Sequence, residues 1–273
     1  MSPVSEQPSW VPAGVDINTP SSARIYDCLL GGAHNFAADR QMAQRFAAAL
    51  PGAPEIAKLN RSFLRRAVLF MVEQGIRQFL DIGSGIPTVG NVHEIAQEVD
   101  PAIRAVYVDR DPVAASHSQH LLRGNENVAA IKQDLRNPEE IFDDPRVRAL
   151  LDFEQPLGLL LVGVLHFIAP ADQPAALLDR YRQRLAPGSY LALSHFTADS
   201  RPAEMAAMVE VMRKSSDPIH PRDRAEFTSF FDGFELLKPG VVPTADWRPA
   251  GPRGADGPER EQIFAGVARK PGV

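Results

Sequence analysis

The chain has 273 residues, a formal net charge of -5, and 44% hydrophobic and 23% charged residues, ordinary values for a globular protein. That length suits one large α/β domain with an extension, or two small domains. The acidic balance argues against DNA or RNA as a bulk partner, and no apolar run is long enough to cross a bilayer. A lone Cys28 leaves no intramolecular disulfide and fits a reducing cytoplasm.

Residues 1–20 carry Pro3, Pro8, Pro12, Gly14 and Pro20 and show no periodicity, so a flexible tail is expected. Ser21 or Ser22 can cap a short helix to Leu30, which Gly31-Gly32 breaks. Residues 39–50 read as an amphipathic helix with Met42, Phe46 and Leu50 on one face, ended by Pro51-Gly52-Ala53-Pro54. A third helix is expected over 60–74, capped by Asn60 and stopped by Gly75. These helices form a cover, residues 21–75, ahead of a Rossmann-like domain over 76–273.

Alternation begins at residue 78. Strands are expected at 78–82, 105–108, 128–131, 157–164 and 189–194. Helices lie between them: one after Pro87 with Val92, Ile95, Ala96 and Val99 inward, then 112–122, 138–150 and 174–185. Such alternation predicts a parallel, doubly wound α/β sheet with right-handed crossovers. Helices at 203–214 and 220–231 follow. Strands at 234–237 and 262–268, joined through a Pro- and Gly-rich segment with Trp247, suggest an antiparallel pair.

Three strand ends carry chemistry. Phe79-Leu80-Asp81-Ile82-Gly83-Ser84-Gly85-Ile86-Pro87-Thr88 reads as strand, tight glycine turn and helix. A dinucleotide site wants a third glycine, and Thr88 stands there instead. Asp81 would repel a pyrophosphate but suits an amino-bearing ligand. Asp109 ends the second strand, where its carboxylate can accept from ribose hydroxyls. Asp134 follows the third, where it can accept from an adenine amino group while the Leu135 N–H donates to the ring. Asp111 is read as the N-cap before Pro112. Together they point to an adenosine-containing cofactor at the carboxyl ends of adjacent strands.

The D-x-G-x-G form resembles the first motif of class I S-adenosylmethionine (SAM) methyltransferases. Longer stretches resemble one SAM-dependent methyltransferase family long catalogued as a domain of unknown function. They are Ile25-Tyr26-Asp27 through Gly31-Gly32-Ala33-His34-Asn35-Phe36 to Asp39-Arg40, the glycine segment above, Val108-Asp109-Arg110-Asp111-Pro112, Val164-Leu165-His166-Phe167-Ile168 and Phe264 to Pro271. The similarity covers about residues 17–271. It implies a seven-stranded sheet whose last strand is antiparallel, with SAM as cofactor. Tyr26, Gly32 and Asn35 would reach the cofactor from the cover. Asp81, Gly83, Ser84, Gly85, Thr88, Asp109, Arg110, Asp134, Leu135 and Val164 would bind it from the sheet.

His166 follows the fourth strand, where a neutral imidazole can deprotonate an acceptor or line the methionine pocket. His195 is a second candidate. Met205, Met208 and Met212 share a helical face whose default reading is core packing; the sharper reading makes them, with Trp247, the wall of a small-molecule acceptor site. No His/Cys cluster has metal-ligand spacing. Three readings stand at this point: a methyltransferase, a SAM-binding protein that senses without catalysing, and a nicotinamide-dependent oxidoreductase.

Overall fold

The computed structural model describes residues 11–12, 15–87, 90–213, 215–249, 251 and 257–272. Five short apolar runs form the parallel part of one sheet: β1 (Gln78–Ile82), β2 (Arg104–Asp109), β3 (Val128–Lys132), β4 (Gly158–Val162) and β5 (Tyr190–Phe196). Two further strands, β6 (Glu235–Leu236) and β8 (Ile263–Arg269), complete the order β3-β2-β1-β4-β5-β8-β6. β8 runs antiparallel to both β5 and β6, as expected for the end of the sheet. An eighth strand, β7 (Val242–Pro243), pairs with β8 from within the Pro- and Gly-rich segment and has no counterpart in the seven strands expected. Two residues are too few to show a period of two, so sequence patterning carries no sign of it.

Order reverses between β1 and β4, so a crevice forms at their carboxyl ends. In-register pairing of Ile82 with Val108, and of Val108 with Ile131, brings the ends of β1, β2 and β3 level. One apolar layer packs each face. Leu80, Ile82, Val108, Leu159 and Leu161 face one side; Phe79, Ala105, Tyr107 and Leu160 face the other. Adjacent residues point to opposite faces and all are buried, which accounts for nearly continuous apolar strands.

The cover consists of α1 (Ser22–Leu29), α2 (Ala37–Ala49) and α3 (Ala53–Glu73). α3 begins seven residues before its expected start. Gly52 takes φ +88°, and Pro54 sits in the first turn, where its missing N–H leaves nothing unpaired. Asn60 is therefore a buried interior residue and not a cap. Its Oδ1 accepts from Ser194 Oγ at 2.6 Å, and its Nδ2 donates to Tyr26 Oη at 3.2 Å. The expected tail is packed in part: Val15 joins Phe36, Ile86 and Val113 in a small apolar cluster, with Val11 and Ile17 against it, while Asp16, Asn18 and Thr19 are exposed. Residues 1–10, with Trp10, and residues 13–14 of that tail lie outside the described residues.

Arg24 fastens the cover to the sheet. Buried on α1, it donates to Asp39 of α2 at 2.9 Å and to Asp111 at 3.1 Å. Asp111 is the N-cap of α5 (Pro112–Leu121), accepting from the Val113 and Ala114 N–H groups. The remaining helices follow the expected alternation. α4 spans Val92–Gln97, so Val99 falls beyond its end and is exposed. The expected helix over 138–150 divides into α6 (Pro138–Asp143) and α7 (Pro145–Leu150). The residue before a proline is driven out of the helical region, and Asp144 becomes a cap instead. α8 (Pro174–Arg184), α9 (Pro202–Met212) and α10 (Arg224–Ser229) complete the set. No helix among the described residues is long and apolar enough to cross a membrane.

Candidate active site

A cleft of about 1330 Å³, counting its open mouth, lies between the cover and the carboxyl ends of the parallel strands. Asp81, Gly83, Ser84, Gly85, Asp109, Arg110, Asp134, Leu135, Val164 and His166 all line it. The glycine turn is held from two sides. The Gly83 and Ser84 N–H groups donate to Val108 O at 2.7 and 3.1 Å, and the Gly85 N–H donates to Asp109 Oδ2 at 2.7 Å. Gly83 and Gly85 take φ of +69° and +68°. At Gly83 a Cβ would fall 2.3 Å from Val164 Cγ2, so only glycine fits there. Thr88 lies outside the described residues.

Asp109 is held in place yet keeps acceptor capacity. Oδ2 takes the Gly85 N–H and Oδ1 takes the Asp111 N–H at 2.8 Å, which leaves lone pairs on both oxygens. Burial pushes its carboxyl up to about 6, against the two backbone hydrogen bonds that favour the ion. Burial pushes Asp81 further, to about 7. Arg61 opposes that rise and Asp109 adds to it. A buried carboxyl poised at neutrality loses its proton when a cation comes beside it.

Arg61 is a site residue that sequence reading missed. It projects from α3 into the same cleft and donates to Gly90 O at 2.7 Å. Asp134 is engaged: burial works to raise its carboxyl, but hydrogen bonds from the Arg136 side chain and backbone outweigh that and leave it lowered. An adenine amino group would share this carboxylate with Arg136. Arg110 turns across the mouth and pairs with Asp217. Asp217 Oδ2 also accepts from the Ser22 N–H at 2.7 Å, and Ser216 Oγ donates to Pro20 O at 3.1 Å. The end of β2, the cover and the 216–217 segment are thereby stitched together at the entrance.

The cover residues divide. Tyr26 lines the cleft, with its hydroxyl donating to Ala57 O at 3.0 Å. Gly32 and Asn35 instead build the turn after α1. Asn35 Nδ2 donates to Asp27 Oδ2 at 2.8 Å and to Gly32 O at 2.9 Å, while a Cβ on Gly32 would meet Asp27 Oδ1 at 2.0 Å. Neither is part of the cleft lining.

β4 stops at Val162, because Gly163 takes φ +75° and turns the chain into a short 3₁₀ segment, Leu165–Phe167. That segment presents His166 to the cleft. The ring is 2% exposed, and its Nδ1 has no hydrogen-bond partner among the described residues. Burial, followed by the nearby His195 and Arg222, holds it well below the ordinary histidine range, so it is neutral at physiological pH. His195 is different. β5 runs on to Phe196, which leaves His195 inside the strand. Its Nδ1–H donates to Phe196 O at 2.8 Å and its Nε2 accepts from Arg222 Nη1 at 2.8 Å. Both nitrogens are used, and burial pulls its pKa down to about 3. Arg222, also missed in the sequence, donates to Ile168 O at 2.9 Å, and the His220 N–H donates to His166 O at 2.8 Å. His195 and Arg222 therefore brace the segment that carries His166.

The expected acceptor wall is not where sequence spacing put it. Met205, Met208 and Met212 are buried behind Phe46 and Phe196 as core packing. Trp247 is fully buried in the apolar layer, edge-on to Phe63 and Phe70 of α3. A helical apolar face packs against whatever lies next to it, and here that is α2, not a cavity.

Chemically, the cleft offers a buried acceptor for a diol at Asp109, and a titratable carboxyl beside a guanidinium for an amino acid zwitterion. Its glycine turn lets a ligand touch the backbone. No group of three or more His, Cys, Asp or Glu among the described residues can hold a metal.

The sequence matches the S-adenosyl methyltransferase family over residues 8–271. A candidate methyltransferase from Thermobifida fusca is 41% identical and superposes with a TM-score of 0.92, over 97% of this chain and 100% of that one. A DUF574 family protein from Streptomyces avermitilis is 37% identical with a TM-score of 0.87, over 94% and 100%. The N-methyltransferase NodS from Bradyrhizobium japonicum, in complex with S-adenosyl-L-homocysteine, shares 13% identity and a TM-score of 0.51 over 91% and 100%, a likeness of fold alone. No curated protein matches the sequence.

Proposed function

Because the chain belongs to the S-adenosyl methyltransferase family and is a SAM-dependent methyltransferase, we propose that it methylates a small-molecule acceptor in the cleft under the cover. The cofactor supplies an electrophilic methyl group on a sulfonium sulfur. Asp109 accepts the two ribose hydroxyls through the lone pairs that Gly85 and Asp111 leave free. Asp81 takes the cofactor's ammonium and Arg61 its carboxylate, two opposite charges beside each other in a buried site. Gly83, Ser84 and Gly85 give the backbone surface for the amino acid portion, and Val164 closes that side. Asp134, Leu135 and Arg110 would hold the adenosine portion. Tyr26 contributes from the cover, residues 21–75, which encloses the cofactor and does not stand as a domain of its own.

His166 is the proposed catalytic residue. Its neutral imidazole accepts the proton that a hydroxyl or amine releases as it is alkylated, and the His195–Arg222 brace fixes where that proton goes. Alignment of acceptor and methyl group does the remainder. The observation that carries this reading is the Asp81–Gly85–Asp109 array. It joins an ammonium site and a diol site on one glycine turn, and the Asp81 carboxylate there would repel a pyrophosphate. The antiparallel close of the sheet at β8 also speaks against a nicotinamide domain.

Calorimetric titration with S-adenosylhomocysteine (SAH) and with NADH tests it. One SAH per chain and no heat with NADH is the expected result. NADH binding without SAH binding would refute it.

A further inference from the structure

The inner end of the cleft has a character that the cofactor end lacks. Ile25, Phe46, Ile56, Phe196 and Ile263 belong to one buried apolar cluster and also wall the cleft. The rings of Phe167 and Phe196 lie 4.4 and 4.7 Å from that of His166. The charged groups of the cleft have other partners or roles, at its cofactor end: Arg110 pairs with Asp217, Arg136 with Asp134, Asp109 holds the glycine turn, and Asp81 and Arg61 are the seats assigned to the cofactor's amino acid portion. His166 is the polar group set among these phenyl rings, and its Nδ1 has no partner among the described residues. A neutral imidazole has one donor and one acceptor, and aromatic neighbours satisfy neither. An ionic molecule would leave water here without meeting an unengaged counter-charge, since the nearby Arg222 is already held by Glu226, His195 Nε2 and Ile168 O. A sugar or amino acid would leave several polar groups unpaired.

We propose that this end binds an uncharged, planar aromatic molecule with one hydroxyl or amine N–H, which donates to His166 while the ring packs among Phe46, Phe167 and Phe196. This rests on the methyltransferase reading, since that hydroxyl or amine is the atom to be methylated. Size and flatness come from the phenyl walls, and the point of attachment comes from the single imidazole.

The test uses 1-naphthol, naphthalene and 1-naphthoate as probes, titrated by fluorescence and calorimetry into the full chain saturated with SAH. Saturable 1:1 binding of 1-naphthol is expected, roughly tenfold tighter than naphthalene for one hydrogen bond, with no binding of 1-naphthoate. Leu29→Ala, at a half-buried position of the same wall, should weaken 1-naphthol several-fold. His166→Phe should erase the difference between 1-naphthol and naphthalene. Naphthoate binding as tightly as naphthol, or SAH binding with no naphthol binding, would overturn this proposal alone. Failure of SAH itself to bind would instead remove the reading on which it rests.

Discussion

Asp109→Ala is the substitution from which most can be learned. The carboxylate does two jobs at once: its oxygens take the Gly85 and Asp111 N–H groups at 2.7 and 2.8 Å, and their remaining lone pairs face the cleft. Removing it deletes two charge-assisted hydrogen bonds to the ribose, each worth about 1.5–3 kcal/mol. The total of about 3–6 kcal/mol corresponds to a rise in the SAH dissociation constant of about 10²- to 10⁴-fold. Loss of the Gly85 anchor adds to it, because the turn no longer has its fixed shape. The fold should survive. Burial already holds this carboxyl up at about 6, so its ionised form strains the empty protein at neutral pH. Asp109→Asn keeps one oxygen but turns an N–H toward a backbone N–H, and should fall between wild type and alanine. Calorimetry gives the affinities, and circular dichroism melts confirm that the variants are folded. An Asp109→Ala protein that melts normally and binds SAH within twofold of wild type would refute the ribose assignment.

Three further outcomes are expected. Asp81 and Asp109, raised from 3.8 to about 7 and about 6, bind protons in the folded chain that the unfolded chain has released. Their contribution to stability is therefore full below pH 4 and lost as pH rises toward 7, so the SAH-induced rise in melting temperature should be larger at pH 8 than at pH 5.5; equal shifts would contradict the burial of an ammonium on Asp81. Arg24→Leu leaves Asp39 and Asp111 buried without their cation, and should cost about 3–5 kcal/mol in urea unfolding as well as weaken SAH; an unchanged midpoint would remove Arg24 as the fastener of the cover. His166→Ala, assayed with any acceptor that the wild type methylates, should lower turnover by about 10²–10⁴-fold with SAH affinity nearly unchanged; a parallel loss of SAH affinity would make His166 part of the methionine pocket instead.

The strand and helix alternation and the antiparallel close of the sheet were legible in the sequence, because period is local; the strand order with its reversal, and the two-residue β7, were not. Asp81, Gly83, Gly85 and Asp109 could be named because glycine turns and strand-end carboxylates have few uses. What escaped was tertiary. Arg24, Arg61 and Arg222 look in the sequence like surface arginines, the usual fate of that residue, yet Arg24 and Arg222 are 3% exposed. Asn60 has the composition of a cap and the position of a buried cross-link to Ser194 and Tyr26. The methionines of α9 and Trp247 were apolar material without an address, since a helical face does not say what it packs against. Gly32 and Asn35 take part in the turn around Asp27, a use that sequence alone does not separate from ligand contact.

A crystal structure of the chain grown with SAH addresses the central claim most directly. The ribose hydroxyls should lie within hydrogen-bond distance of Asp109, and the amino group beside Asp81. The homocysteine sulfur should face His166 and the phenyl walls. SAH bound elsewhere, or bound with its ribose away from Asp109, would contradict the account.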